Sequence, residues 1–350
     1  DAVNNLSFLD KIIKDLKEGN YYDVGKTIAT NIKMKTKEKD VEERKKRKLN
    51  IKIFPIYNML GLDFIFYYAI QVLFLTQLKG ISVSEIVLAG SAYAFTSIVV
   101  QIPALVFVDK VGKSKSLLIG NIINTLCILT VIFCPNFLTF LIEECVTAIA
   151  FALKGITESC ILNDSIPECT NKNEIFSSIN AKGYSKYCYV AAVSSILAGV
   201  LYDINPYIPM ILCFICSLLA TLISANFSDI RLEEQNEKEK TKGNFKEYIK
   251  NLKESFSFIF NSKRLRALLF SVGFLWGIIC LFNTYKVDLL DQIGVSATVI
   301  GIFDALYQVF VGIASKTAVE TNRKYRNKTL TVIRSMEFTK FCNMWFGGFI

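Results

Sequence analysis

The sequence predicts an all-α integral membrane protein, a bundle of two similar six-helix halves of which the second is incomplete, with about 8–9 of 12 helices present. Three observations lead to this prediction. Apolar runs long enough to cross a bilayer recur along the chain, Lys and Arg lie between them with a one-sided bias, and a short pattern around Gly80 recurs around Gly294, 214 residues later. The composition agrees, since 52% of the 350 residues are hydrophobic.

Eight apolar runs are predicted to be membrane-spanning helices. Their ranges are 53–78, 86–108, 115–133, 137–161, 184–202, 207–226, 266–286 and 298–315. Most approach the roughly 20 residues that a helix needs to cross the hydrocarbon core. The short connections at 134–136 and 203–206 predict tight hairpins, and the stretch from Thr329 predicts a poor ninth helix because it carries several charges.

The distribution of basic residues predicts that the amino terminus is cytoplasmic. Residues 1–50 form a polar and basic segment that ends in a charged block at 42–48, just before the first apolar run. With this end inside, the connections after the second and eighth helices carry most of the loop Lys and Arg residues on the inner side, whereas the outer side shows only Lys79 and Lys286. We therefore expect a multi-pass protein of the cell membrane.

The repeat divides the chain into four parts. Residues 51–227 form the first six-helix half, and 228–265 form a charged connector whose apolar positions between 245 and 259 predict an amphipathic helix on the inner leaflet. Residues 266–350 form part of a second half, in which Tyr307 corresponds to Tyr93. By this spacing, about 90 residues would be needed to complete the second half, so we expect the chain to be incomplete at its carboxyl end.

The connection between the second and third helices reads Asp109-Lys110-Val111-Gly112-Lys113-Ser114-Lys115. Glycine suits a tight reversal, and an acid near a helix amino end meets the positive end of the helix dipole. This loop resembles the cytoplasmic signature of the major facilitator superfamily, in particular bacterial drug-efflux members. The resemblance covers residues 50–328 and implies that Asp109, Lys110, Gly112, Lys113 and Lys115 form a conformational-switch loop.

Several features depart from the drug–proton antiporter pattern. Leu105 stands where a glycine often precedes the loop acid, the fourth helix carries Lys154 as its only basic residue where an arginine is common, and the fifth lacks a Gly-Pro motif. These departures leave the general transporter interpretation in place and weaken the antiporter interpretation.

Charged residues within apolar runs are costly, so they are the first candidates for function. Asp63 lies near the middle of the first predicted helix with no partner close in sequence, and it is a candidate proton carrier or anchor for a cationic substrate. Glu143, Glu144 and Asp304 are further transport or proton-coupling candidates. Lys154 and Glu158, one helical turn apart, are interpreted as a structural pair near the inner end.

Aromatic and amide side chains within the spans are candidates for lining a central cavity. They are Tyr67, Tyr93, Gln101, Tyr307 and Gln308. An aromatic lining would suit a flat apolar or cationic ligand, and the alternative is that these side chains face lipid or neighbouring helices.

The resulting hypothesis is a secondary active transporter that moves a small molecule by alternating access, and the resemblance implies proton-coupled efflux of amphipathic compounds. We expect a monomer that works in the lipid bilayer with protons as the coupling ion, no nucleic-acid partner, no cofactor and no metal site. Two alternatives remain: a truncated relative that does not transport, and a membrane enzyme acting on lipids. The chain has no histidine, and its inner-face acids Asp109 and Asp164 are separate in the sequence and flanked by turn residues, which disfavours the enzyme.

Overall fold

A computed structural model describes residues 21–167, 170–230, 254 and 257–325 as helices joined by short connections. The helices that matter here are α1a (Tyr21–Gly61), α1b (Gln71–Leu73, continued by the π-helical turn Phe74–Leu78), α2 (Val83–Val111), α3 (Lys113–Phe133), α4 (Phe137–Ser165), α5 (Lys172–Ile204), α6 (Tyr207–Ser224), α7 (Lys263–Gln292) and α8 (Ala297–Tyr325).

The helices expected from the second to the eighth apolar run are confirmed. Several extend beyond their apolar runs: α5 begins at Lys172 and α7 ends at Gln292, because polar residues continue both helices past the apolar part. The connections at Cys134–Asn136 and Asn205–Pro206 are short, as expected. The poor ninth helix after Thr329 and most of the predicted amphipathic helix at 245–259 lie outside the described residues.

Six of the described helices are long and apolar enough to cross a membrane, against the eight predicted. They are α2, α3, α5, α6, α7 from Leu265 and α8 as far as Ser315. The fourth predicted helix is present as α4 but is not among the six, and it carries Glu143, Glu144, Lys154, Glu158 and Asp164. The first predicted helix is not among the six candidate spans because it is not one continuous helix.

The first predicted helix, 53–78, is broken. α1a begins at Tyr21, within the segment predicted as a separate polar arm, and stops at Gly61; α1b begins at Gln71. In the interruption, the Asp63 carboxylate accepts the backbone N–H of Phe64 at 3.1 Å, which is a local alternative to the helical hydrogen bond. Phe66 has a φ of 71°, a left-handed conformation that a helix excludes. The expectation of a continuous first helix was therefore wrong.

The most extensive helix packing joins α5 to α8 along their lengths. Small residues allow this close approach: a Cβ added at Gly199 would lie 2.4 Å from the Ala297 carbonyl oxygen, and one at Gly301 would lie 2.3 Å from the Ser195 carbonyl oxygen. Ser185 also donates a hydrogen bond to the Gly312 carbonyl at 3.0 Å. This α5–α8 seam joins the first six helices to the last two.

The sequence repeat has a structural counterpart. α2 and α8 begin 214 residues apart, and α1b and α7 end at the same offset. The glycines that follow these two helix ends, Gly80 and Gly294, have φ angles of 65° and 80°, a conformation that glycine adopts without strain. The two stretches are therefore built alike at this turn and at the start of the following helix.

The bundle has two ends. We call the end with Arg47 and the Asp109–Lys115 loop the basic end, and the end with the connections after α1b, α3, α5 and α7 the distal end. A large buried cluster lies toward the distal end and includes Phe74 and Leu75 of α1b, Phe140 of α4 and Met210 of α6. It fixes α1b against the other helices, so the interruption at 62–70 is held from both sides.

We expect Gly301→Ala to lower the thermal stability of the purified protein in detergent, because its methyl group would overlap the backbone of α5. The cost should be about 1–3 kcal/mol, typical of overpacking. Gly277→Ala is the matched control, since a Cβ there meets nothing within 4 Å among the described residues. Equal melting temperatures for the two variants would contradict the α5–α8 seam.

Candidate functional site

Asp63 lies in the interruption between α1a and α1b, where its carboxylate is only half-buried. One oxygen accepts the Phe64 N–H, and the other accepts the Tyr187 hydroxyl of α5 at 3.4 Å. The Tyr68 hydroxyl lies beside the same carboxylate. The interruption thus places the Asp63 carboxylate where α1a, α4 and α5 meet.

Lys154 of α4 reaches the same interruption. It is 1% exposed, and its ammonium group donates a hydrogen bond to the Gly61 carbonyl, the last of α1a, at 2.5 Å. It also lies 4.5 Å from the centre of the Phe151 ring. Asp63 and Glu158 are the two carboxylates that act on its charge. Asp63 was expected to have no partner close in sequence. The structure gives it partners on two other helices, Lys154 of α4 and Tyr187 of α5.

Glu158 is tied to the first helix. The Tyr57 hydroxyl donates to a Glu158 oxygen at 2.7 Å and accepts from the Asn121 amide of α3 at 3.0 Å. Tyr57 is fully buried, and Asn121 is nearly so. The predicted Lys154–Glu158 pair interacts through its charges, but both hydrogen bonds go to α1a: Lys154 donates to the Gly61 carbonyl, and Glu158 accepts the Tyr57 hydroxyl. The physical reason is that the end of α1a supplies polar groups which sequence spacing does not show.

A second acidic group is formed by Glu143 and Glu144 of α4. Glu143 is buried and accepts the Thr147 hydroxyl at 2.6 Å, whereas Glu144 is half-buried. Both carboxylates lie within electrostatic range of Tyr67, and Glu144 also lies within range of Tyr68 and Tyr93. Tyr93 is in turn within range of Asp63. The structure thus places three of the four predicted carboxylates around one group of tyrosines.

Asp304 lies apart from this group, in the α5–α8 seam. Its carboxylate accepts the Ser195 hydroxyl at 2.6 Å, and Lys286 of α7 lies within electrostatic range. Tyr307 lies near Tyr184 of α5 and is 47% exposed. Gln308 is half-buried on the same helix, and Gln101 of α2 is exposed, eight residues beyond Tyr93.

The distal end holds a polar contact between α1b, α5 and α7. The Gln77 amide donates to the Asp291 carboxylate at 2.8 Å, and the Tyr202 hydroxyl donates to the Gln77 oxygen at 3.0 Å. Gln77 and Asp291 are 214 residues apart, so they occupy equivalent positions in the repeat. Equivalent positions meet in this way where a two-fold axis relates two similar units.

A second distal contact joins α5 to the start of α8. The Asp203 carboxylate accepts the Thr298 hydroxyl at 2.6 Å and the Thr298 N–H at 3.2 Å. The backbone N–H groups of a first helical turn have no partner within the helix, so Asp203 stabilises the start of α8 from another helix. Together with Gln77–Asp291, this contact ties the described part of α7 and α8 to the first six helices at the distal end.

The Asp109–Lys115 loop is held at the basic end by acids from outside it. Gly112 has a φ of 99° and precedes α3 without a side chain to cap it. Asp229, after α6, takes this role by accepting the Ser114 N–H at 2.7 Å and the Ser114 hydroxyl at 2.9 Å. Lys113 forms an ion pair with Asp164 at the end of α4. Asp109, Lys110 and Lys115 are exposed.

The comparison with protein families decides the identity of this arrangement. The sequence profile of the Major Facilitator Superfamily matches residues 53–335, which is well over half of the chain. The chain belongs to the major facilitator superfamily. It is therefore a multi-pass membrane protein and a secondary transporter of small molecules, and not an enzyme. A comparison with curated proteins gave no match.

Six residues that make polar contacts in this member of the major facilitator superfamily were not predicted from the sequence. They are Gln77, Asp291, Tyr202, Asp203, Tyr187 and Asp229. Two of them carried a usable signal, because Gln77 lies in the repeated turn and the 214-residue offset leads from it to Asp291. The others are single polar residues at helix ends or on a helix face, and only the packing of helices distant in sequence brings them to their partners.

We expect Asp229→Ala to lower the thermal stability of the purified protein by about 1 kcal/mol, the usual cost of losing a helix cap. Asp229→Asn should cost less, because an amide oxygen can still accept the Ser114 N–H. Asp288→Ala, which removes only an exposed contact with Gln292, is the control. A loss in Asp229→Ala no larger than in this control would show that Asp229 does not cap α3.

Proposed function

We propose that this chain is a proton-coupled transporter that exports small amphipathic cations by alternating access. The observation that carries the proposal is the position of Asp63, a half-buried carboxylate in the interruption of a membrane helix. Discontinuous helices and intramembrane carboxylates are typical of substrate and coupling-ion sites in transporters.

The charges around the site support a cationic substrate. Asp63, Glu143 and Glu144 surround the tyrosine group, and Lys154 and Glu158 oppose one another beside it. Tyr68 is 46% exposed, and Phe64 lies with its ring 6.0 Å from that of Tyr68. Aromatic faces and an excess of carboxylates over the one ammonium group of Lys154 together favour a flat organic cation over an anion.

Proton coupling follows if protons and substrate use the same carboxylate. A protonated Asp63 is neutral and attracts a cation weakly, whereas the ionised form attracts it strongly. Binding of one would then release the other, which is the requirement for exchange. The direction, export, is supported by the resemblance of the Asp109–Lys115 loop to drug-efflux members, and the basic end is proposed to be cytoplasmic.

Alternating access requires contacts that open at one end while others close. The Gln77–Asp291 and Asp203–Thr298 contacts are suited to this role, because they join the two parts of the bundle and lie at the distal end. They involve exposed polar groups, so water can replace their hydrogen bonds at low cost when they separate. In this proposal, the structure corresponds to the state in which the distal end is closed.

We expect Asp63→Asn to abolish transport driven by a pH gradient, because a neutral amide neither binds a proton nor attracts a cation. The measurement is uptake of a fluorescent organic cation into inside-out vesicles containing the purified protein, with the interior acidic. Asp288→Asn, on the surface of α7, is the matched control. Gradient-dependent uptake that survives in Asp63→Asn would refute the coupling role, and uptake only in right-side-out vesicles would reverse the direction.

We expect the doubly substituted variant Gln77→Cys with Asp291→Cys to lose transport under oxidising conditions and to regain it with a reductant. A disulfide there would hold the distal end closed and prevent the cycle. Each single substitution, treated with the same oxidant, controls for the native cysteines. Unchanged transport in a variant whose cross-link is verified by mass spectrometry would argue against separation at this contact.

A further inference from the structure

Glu143 of α4 carries a buried carboxyl group on whose charge no Lys or Arg among the described residues acts. Its side chain is 4% exposed, and the Thr147 hydroxyl, one turn along α4, donates to it at 2.6 Å. The charged group that does act on it is Glu144, which has the same sign. An ionised carboxylate without a cation is costly to bury, so the surroundings of Glu143 favour its neutral form.

Two buried polar atoms of the neighbouring elements make no hydrogen bond to any described residue. One is the hydroxyl oxygen of Tyr67, in the interruption of the first helix, and the other is the carboxamide oxygen of Asn124 on α3. The two side chains are 2% and 4% exposed. Tyr67 lies within electrostatic range of Glu143, and Gln71 lies beside its hydroxyl without reaching hydrogen-bonding geometry. Buried polar atoms of this kind need a partner.

The packing of α3 on α4 places Asn124 near Glu143. A Cβ added at Gly120 of α3 would lie 3.2 Å from the Ala150 carbonyl oxygen, and the Cys127 thiol lies within electrostatic range of Glu143. Positions 120, 124 and 127 share one face of α3, because residues three and four apart are neighbours on a helix. Asn124 therefore lies on the side of α3 that faces α4, between the levels of Ala150 and Glu143.

The balance of donors and acceptors shows in which protonation state these groups fit together. With Glu143 ionised, its two oxygens and the Asn124 oxygen are acceptors, whereas the hydroxyls of Thr147 and Tyr67 are the donors beside them. A protonated carboxyl group has an O–H donor and keeps an oxygen that accepts. A proton on Glu143 therefore adds the donor that the Asn124 oxygen needs, and the other Glu143 oxygen stays available to the hydroxyls.

We infer that Glu143 is a proton-binding site, separate from Asp63, whose proton joins α4 to Asn124 of α3 and to Tyr67 in the interruption of the first helix. The inference does not rest on the coupling role proposed for Asp63. With Glu143 neutral, Asp63 and Glu144 carry the negative charge of the tyrosine group. Because Tyr67 belongs to the interruption, release of this proton removes a contact that holds that segment against α3 and α4.

The titratable groups around Glu143 determine the direction of the pH response. They are Glu144 on its own helix, Tyr67 of the interruption, and Cys127 and Cys134 of α3. Each of them is neutral or negative, so none supplies a positive charge that would stabilise ionised Glu143. Lys79 acts on Cys134 but is not among the groups that act on Glu143. A fall in pH therefore favours the proton and its contacts, and a rise in pH removes them.

The first test is infrared spectroscopy of the purified protein at neutral pH. A protonated carboxyl group has a C=O stretching band that an ionised carboxylate lacks. We expect this band to lose intensity in Glu143→Gln and to keep it in Glu144→Gln, the matched control at the next residue of the same helix. Identical acid bands in the unsubstituted protein and in Glu143→Gln would overturn the inference.

The second test identifies the partners of the acid. Asn124→Leu removes the acceptor at nearly constant volume, so the Glu143 band should move to higher wavenumber, as an acid with fewer hydrogen bonds does. Tyr67→Phe removes only a hydroxyl and should move the band too, and it serves if Asn124→Leu does not fold. Ser116→Ala is the control, because Ser116 is another buried α3 side chain without a described partner, near the basic end. A band that neither Asn124→Leu nor Tyr67→Phe moves would reject these partners and the inference with them.

The third test is the melting temperature as a function of pH. In the unsubstituted protein it should fall as the pH rises from mildly acidic to mildly alkaline, because ionisation of Glu143 breaks the contact with Asn124. Glu143→Gln has a permanent N–H donor and a permanent acceptor, so its melting temperature should depend less on pH. An equal pH dependence in the two proteins would contradict a proton at Glu143.

These readouts are separate from transport. Loss of the acid band in Glu143→Gln, together with pH-driven uptake that survives in Asp63→Asn, would retain the proton site at Glu143 and reject the coupling role of Asp63. Loss of uptake in Asp63→Asn, with an acid band that is the same in Glu143→Gln, would retain the coupling role and reject the site at Glu143.

Discussion

The contact between the Lys154 ammonium and the Gly61 carbonyl is the interaction on which the candidate site depends. A membrane interior offers no water to a helix that stops within it, so the carbonyls freed there need partners from the protein. Lys154 supplies one, and its own charge then needs carboxylates. Asp63 and Glu158 supply these, and their hydrogen bonds from Tyr187 and Tyr57 bring in two further parts of the bundle. The break in one helix thus organises the polar groups of α1, α3, α4 and α5.

The repeat imposes the second constraint, because positions that are equivalent in the repeat contact each other at the distal end. Gln77 and Asp291 are such a pair, and they differ in sequence in the way a contact requires, since an amide donates and a carboxylate accepts. Two glutamines or two aspartates would make a poorer contact, or a repulsive one. Divergence between the repeats is therefore what allows the distal end to be held by a hydrogen bond that water can also break.

Much of the fold could be predicted from the sequence because helix position in a membrane protein is a local property. Apolar runs located α2 to α8, and the turns at Gly80 and Gly294 repeated at the offset seen in the structure. The break at 62–70 was not predicted in this way, because residues 53–78 form one mainly apolar run of membrane-spanning length, although Gly61 and Asp63 lie at the break. The group that meets the last carbonyl of α1a is a lysine 93 residues later in the chain. Its partner groups become visible only when α4 is packed against α1a.

The residues of the candidate site, like the fold, could be predicted only in part from the sequence. Asp63, Glu143 and Glu144 could be singled out because a carboxylate in an apolar run is costly wherever it lies. Asp304 met the same criterion, yet it lies in the α5–α8 seam, hydrogen-bonded to Ser195. The free-energy cost of a charge in an apolar run therefore identifies residues that need a partner. It does not tell whether that partner is a ligand or a neighbouring helix. The two carboxylates differ in their surroundings. Asp304 lies where the backbones of α5 and α8 are in contact, whereas Asp63 lies in the interruption between α1a and α1b.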